Sequence, residues 1–125
     1  MKTHHVLVFS DDLYNREHIV SSLEGILNGC ILELKECATA DIAVEEVKNN
    51  NYDAIIMYGQ TYKEGAMALA KRIQNELGSL PPTIMLVERA QDAWLSKWAG
   101  ATKIVTLPVK PNVLRQVVAD LLKGE

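Results

Sequence analysis

The chain has 125 residues, 48% of them apolar and 23% charged, with a formal net charge of −3. Those figures describe one soluble globular domain, long enough to bury about two thirds of its unfolded surface without disulfide or metal staples. The longest apolar runs, Ala54–Tyr58 and Ala66–Ala70, are five residues each, far short of the roughly 18 that a membrane-spanning helix needs, and the acidic balance lacks the basic footprint of a nucleic-acid binder.

The apolar period alternates between 2 and 3.6 along the chain. His5–Phe9 (HVLVF) reads as a buried strand. After Asp11 and Asp12, residues Asn15–Asn28 carry Ile19, Val20, Leu23, Ile26 and Leu27 on one helical face, with Asn28-Gly29 as a stop. Ile31–Cys37 (ILELKEC) alternates like a half-exposed strand, and Thr39 can cap a second helix in which Ala40, Ala43, Val44 and Val47 share a face. Asp53–Tyr58 is apolar on both faces, hence a third strand, followed by a loop over Gly59–Glu64. Ala66, Leu69, Ala70, Ile73 and Leu77 mark a third helix, closed by Gly78 and barred from continuing by Pro81-Pro82. Thr83–Val87 is the fourth strand, Gln91–Ala99 a short fourth helix, and Lys103–Leu107 the fifth strand. Pro111 opens a last helix whose buried stripe is Val113, Leu114, Val117, Val118, Leu121 and Leu122.

Five strand–helix units in a row, with strands buried on both faces, predict a parallel sheet between two helical layers and right-handed crossovers. Residues 1–125 form a single domain, with no effector domain expected after the last helix. No signal peptide is recognisable at the N-terminus, which predicts a cytoplasmic location. Cys30 and Cys37 would lie about 23 Å apart on one extended strand, too far for a disulfide. Both are expected as reduced thiols. No histidine lies near enough to complete a zinc site with them.

In sheets of this kind, ligands bind beyond the carboxyl ends of the strands. Those ends deliver Ser10, Asp11 and Asp12; Tyr58 and Gly59; Val87, Glu88 and Arg89; and Leu107 and Pro108. The first turn, Ser10–Asn15, contains no glycine, which argues against a dinucleotide fold or a P-loop. It also lacks the hydroxyl-rich loop expected for a flavin phosphate. No histidine or cysteine stands at the strand ends to form a nucleophile–base pair, so an enzyme is not expected.

These residues carry a resemblance that spans essentially the whole chain. Val6–Glu17 resembles the opening strand, acidic cluster and first helix of a bacterial response-regulator receiver domain, the module of two-component signalling. Tyr52–Met57 is similar to the run that leads to that family's phosphorylated aspartate, and Pro82–Val87 to its fourth strand. Ala99-Gly100-Ala101 and Thr106-Leu107-Pro108-Val109 resemble its Ala-Gly-Ala turn and the Thr-Lys-Pro-Phe end of its fifth strand. The resemblance implies a flavodoxin-like (βα)5 fold, doubly wound, with five parallel strands in the order 2-1-3-4-5.

The chemistry departs from the family. On this alignment the phosphoacceptor aspartate falls on Tyr58, the phosphate-pairing lysine on Leu107, the hydroxyl residue on Val87, and the first metal-binding acid on Ser10. The switch aromatic falls on Ile104, and the common proline after the acceptor on Tyr62. An acyl phosphate needs a carboxylate nucleophile, magnesium wants carboxylate oxygens, and neither leucine nor valine can bond a phosphoryl oxygen. Together these changes imply that aspartyl-phosphate chemistry is lost.

In this reading Ser10, Asp11, Asp12, Tyr58, Val87, Glu88, Leu107 and Pro108 line a degenerate pocket. The Tyr58 ring fills the phosphate space, and its hydroxyl is expected to bond Asp11 or Asp12. Asp12 caps the first helix and Glu88 is solvated. No cofactor or metal is expected; Asp11 and Asp12, with Glu88, are the acids that a residual Mg2+ would use. His4 and His5 point to opposite faces of a strand, and His18 is an ordinary helix residue. Trp94 and Trp98, four apart, share one face of the fourth helix. With Lys97, Lys103, Ile104 and Lys110 they mark a candidate surface of fourth helix, fifth strand and last helix, for a kinase, another regulator or a second copy. The expected function is phosphorylation-independent protein–protein signalling. Two alternatives stand beside it: a phosphorelay protein modified at Asp11 or Asp12, and a small flavodoxin-like ligand-binding domain or enzyme using Ser10, Asp11, Tyr58 and Glu88.

Overall fold

The computed structural model describes residues 2–58, 65–89, 97 and 99–123. The loop expected over Gly59–Glu64, Tyr62 included, and the bulk of the expected fourth helix, Trp94 and Trp98 included, lie outside the described residues. In chain order the elements are β1 (Lys2–Phe9), α1 (Leu13–Leu23), β2 (Ile26–Leu27), β3 (Cys30–Cys37), α2 (Ala40–Asn49), β4 (Ala54–Tyr58), α3 (Ala66–Leu77), β5 (Thr83–Val87), β6 (Lys103–Thr106) and α4 (Pro111–Lys123). The sheet order is β2-β3-β1-β4-β5-β6, with every pairing parallel except β2 with β3. Without β2, this is the expected 2-1-3-4-5 order.

Alternation along the strands builds two cores. Val6, Val8, Ile56, Ile84 and Leu86 face α1 and α4, where they meet Ile19, Leu23, Leu114 and Val118. Leu7, Phe9, Ile55, Met57, Met85 and Val87 face α2 and α3, where they meet Val44, Val47, Leu69 and Ile73. All five residues of β4 and all five of β5 are buried, which is why β4 reads as an unbroken apolar run and β5 as one from Ile84 to Val87. The edge strand β6 is only half-buried.

Two expectations are corrected: Val113, assigned to the buried stripe of the last helix, is 44% exposed, and the first helix is shorter than its pattern. The first helix does not continue to Asn28 but ends at Leu23, and Glu24 turns to extended backbone. Gly25 then takes φ +94, and Ile26 and Leu27 pair antiparallel with Ile31 and Cys30. The turn between them is Asn28 (φ 49) and Gly29 (φ 76). Positive φ at both central residues is the I′ hairpin turn, whose twist matches that of the strands it joins. Asn-Gly therefore closes a hairpin here and does not end a helix. Ile26, assigned to a buried face by the helical pattern, is 56% exposed.

A long-range tie fixes this corner. The Arg115 guanidinium on α4 donates to the carbonyls of Ser22 (3.3 Å), Glu24 (3.1 Å) and Ile26. It occupies carbonyls of Ser22 and Glu24 that the end of α1 leaves without helical partners, and the outward carbonyl of Ile26 in β2. A second tie sits at the Ala-Gly-Ala turn, where Gln74 Nε2 donates to the Ala99 carbonyl at 2.9 Å. Gly100 has φ +101, and a Cβ there would lie 2.4 Å from that same amide.

Candidate functional site

The carboxyl ends of β1, β4, β5 and β6 converge on one side of the sheet, and among the described residues each delivers those expected of it; Gly59 lies outside them. At the end of β1, Ser10 is fully buried. Its N–H donates to the Cys37 carbonyl (3.1 Å), tying the turn to β3. Its hydroxyl donates to the Asp12 carbonyl (3.2 Å) and accepts from the Asp12 N–H (3.1 Å). Asp12 caps α1 as expected: one carboxylate oxygen accepts from the Tyr14 N–H at 3.0 Å, and the other accepts from Asn15 Nδ2 at 2.5 Å. Asp11 lies between them, partly buried.

Two residues that the sequence reading did not single out complete this corner. The guanidinium of Arg16, one turn into α1, donates to the Ser10 carbonyl at 2.7 Å and to Glu36 Oε1 on β3 at 3.2 Å. It lies four residues after the Asp12 cap, where α1 returns to the same face. That spacing was the available signal; the partner on β3 was not legible.

Tyr58 ends β4 and stands opposite Leu86 of β5. It is 5% exposed, and its ring belongs to the core beneath α1 and α4. Its hydroxyl donates to Glu88 Oε1. The expectation that it bonds Asp11 or Asp12 is thus corrected. The reason is topological: β4 and β5 are direct neighbours, and Glu88 is the first residue beyond β5, whereas the carboxylate of Asp12 is already spent on the start of α1. Glu88 is exposed, as expected, but it is not merely solvated.

Val87 is fully buried among apolar side chains facing α2 and α3. Leu107 packs partly against the opposite core, and its N–H donates to the Val87 carbonyl at 2.7 Å. The Leu107–Pro108 peptide is cis. After it, the Val109 carbonyl lies 3.3 Å from His18 Nε2, so His18 links α1 to the segment before α4 and is more than an ordinary helix residue. On the candidate partner surface, Lys97, Lys103 and Lys110 are exposed and Ile104 packs partly under α3.

These commitments bear on a cation. Of the acids available, Asp12 is used as a cap, and the Ser10 hydroxyl is used on backbone. Among the described residues, no group of three His, Cys, Asp or Glu side chains gathers into a metal set. The magnesium ion that the receiver resemblance implies does not fit this donor set, which offers too few free carboxylates for a hard octahedral cation.

Both thiols are free, with Cys30 part-exposed and Cys37 buried. Burial, reinforced by the Glu46 carboxylate and opposed by Lys35 and Arg16, pushes the Cys37 thiol up to about 11. It is protonated and inert at neutral pH. No helix among the described residues is long and apolar enough to cross a membrane.

No family model matches the chain. Over 121 residues it is 33% identical to an uncharacterised response regulatory protein of Mycobacterium tuberculosis, a match that covers 95% of this chain and 91% of the relative. Among solved structures it is similar to a two-component response regulator of the LuxR family from Aurantimonas, with a TM-score of 0.83, 21% identity, and 99% of this chain and 88% of that one covered. It is also similar to the receiver domain of a Francisella response regulator, with a TM-score of 0.80, 23% identity, and 97% and 98% covered. At these identities the solved structures establish the fold.

Proposed function

The chain belongs to the response-regulator receiver family, and within that family we propose that it is a pseudo-receiver, signalling by protein–protein contact without an aspartyl phosphate. One observation carries this reading. Where the family places its nucleophilic aspartate, Tyr58 has its ring packed in the core and its hydroxyl engaged by Glu88. A phenol is not a carboxylate nucleophile, and this one is already hydrogen-bonded. The neighbouring roles are absent as well: Leu107 cannot neutralise a phosphoryl oxygen, and Val87 offers it no donor.

A phosphorylated receiver changes state because the phosphoryl group binds one conformation better than the other. Without acceptor, lysine or hydroxyl, that bias is missing, and the Tyr58–Glu88 bond holds the ends of β4 and β5 in one arrangement. The partner is a kinase, a response regulator or another regulator. It docks on the surface of β6, α4 and the expected fourth helix, around Lys103, Ile104, Lys110, Trp94 and Trp98, where tryptophan would supply anchoring area.

The test is intact mass after incubation with Mg2+ and a small-molecule phosphodonor, with a typical receiver run alongside. The expected result is no mass gain here and a phosphoryl adduct on the control. A stoichiometric, base-labile adduct on this chain would overturn the proposal. Mapped to Asp11 or Asp12, it would establish the phosphorelay alternative.

A further inference from the structure

A cavity of about 170 Å3 lies at the amino ends of β1 and β3, at the opposite end of the sheet from the degenerate pocket. Leu27, Ala119 and Leu122 give it an apolar lining, with the exposed Lys123 beside them. Two side chains that carry ligating atoms also line it, His4 from β1 and Cys30 from β3. Sequence spacing places no histidine near the cysteines; the parallel pairing of β1 with β3 does. Lys2 stands opposite Cys30 and His4 opposite Leu32, so His4 and Cys30 are diagonal neighbours on one face, with Cα atoms about 8 Å apart. A metal ion bonded at about 2.0–2.3 Å to each is within reach of both side chains.

His4 is the anomaly of this corner. It is 5% exposed, and its Nδ1 is buried without a hydrogen-bond partner. The Asp53 carboxylate stands 3.6 Å from that nitrogen, too far for a hydrogen bond, and is itself fixed by the His5 N–H at 2.8 Å. Strands β3 and β4 flank β1 on opposite sides. With Nδ1 turned to Asp53 at the head of β4, the nitrogen across the ring, Nε2, turns to the β3 side, where Cys30 lies. A carboxylate behind one ring nitrogen is the arrangement that aims the other at a metal. A buried nitrogen left unbonded is costly; coordination at Nε2 makes Nδ1–H a stronger donor toward Asp53 and lowers that cost.

We propose that Cys30 and His4 bind a soft monovalent cation, Cu(I), in a two-coordinate thiolate–imidazole site, with Asp53 orienting the ring. The thiol proton leaves to water as the copper–sulfur bond forms. Thiolate and imidazole are both ligands that suit copper, and charge decides its oxidation state. Cu(I) with one thiolate is neutral, as an apolar cavity requires. A divalent ion such as Zn2+ would keep a net positive charge there, beside Lys123, and would lack the further ligands that its tetrahedral site needs. Among the described residues no larger group of His, Cys, Asp or Glu gathers to supply them. Cys37, at the other end of β3 and in the opposite core, takes no part. The proposal is independent of the phosphorylation reading.

Anaerobic titration of the full chain against the Cu(I)–bicinchoninate complex tests it. The expected result is transfer of one Cu(I) per chain, not displaced by a large excess of Zn2+. Cys30→Ser abolishes the transfer, and Cys37→Ala leaves it unchanged. Asp53→Asn, which keeps an acceptor for the His5 N–H, lowers the affinity about tenfold or more, and His4→Gln lowers it at least as far. Circular dichroism checks that each variant is folded. The X-ray absorption spectrum of the copper-loaded parent needs no variant, and should show one sulfur and one nitrogen neighbour. No transfer to the parent, transfer retained in Cys30→Ser, affinity unchanged in Asp53→Asn, two sulfur neighbours, or displacement by Zn2+ would each overturn the proposal.

Discussion

Replacing Tyr58 by phenylalanine leaves the ring in the core beneath α1 and α4 and removes one donor. Because Glu88 is exposed, its carboxylate regains water when the hydroxyl goes, and no buried acceptor is stranded. The loss is then that of one hydrogen bond to a charged group, about 1–2 kcal/mol of unfolding free energy. Glu88→Gln keeps an acceptor in place but removes the charge, and should cost about 0.5–1 kcal/mol. If hydroxyl and carboxylate meet as the structure shows, the two losses overlap. The double variant should be more stable than the sum of the singles by about 1 kcal/mol. Urea denaturation of the four proteins measures this, provided the slope with denaturant stays constant across the cycle. Additivity to within about 0.3 kcal/mol would refute the pairing, and with it the argument that the acceptor position is closed.

Other substitutions test other joints. Gly100→Ala should cost about 1–3 kcal/mol, from a positive φ and the displaced Gln74 amide; in a Gln74→Ala background the steric part should vanish, leaving a smaller loss in the same melt. Arg115→Ala should destabilise by about 1–2 kcal/mol, with faster amide exchange concentrated at Ile26–Ile31, and Arg115→Lys should rescue little because an ammonium cannot fork to several carbonyls. Iodoacetamide at neutral pH should label Cys30 and spare Cys37 until the protein unfolds. The Cys37 thiol rises from 9.0 to about 11 on folding, and burial with the Glu46 hydrogen bond also pushes the Tyr52 phenol up. Raised values mean that the folded state holds these protons more tightly, so the Cys37 stabilisation is complete below pH 9 and is lost as pH climbs through 11, while that of Tyr52 begins to fall only above pH 10. Urea midpoints across that range should fall, and should fall less in Cys37→Ala.

The fold was legible because its signals are local and repeated. Unbroken apolar runs such as Ala54–Tyr58 and Ile84–Val87 mark central parallel strands, and the caps at Asp12, Thr39 and Gly78 punctuate the helices where expected. The failure at Ile26–Leu27 came from period alone. Two apolar residues in phase with the preceding helix cannot reveal that Gly25 breaks it, and Asn-Gly serves both as a helix stop and as a hairpin turn. At the site, the sequence placed Ser10, Asp12, Tyr58, Val87 and Leu107 at the strand ends, because strand termini follow from strand assignment. It did not give the partner of the Tyr58 hydroxyl. That depends on which strands are neighbours and on which carboxylates a helix cap has already consumed. The links from Arg16 to Glu36 and from His18 to Val109 join elements 20 and 91 residues apart, and no local pattern encodes such distances.

The central claim is that this receiver fold has no phosphoryl-driven second state. Amide NMR spectra of the pure protein, recorded before and after Mg2+ and a small-molecule phosphodonor, test it most directly. The account predicts superimposable spectra, with the amides of Ser10, Asp11, Asp12, Val87 and Glu88 unmoved. Shifts that begin at those amides and extend through β6 into α4 would show a phosphoryl-driven second state and contradict it.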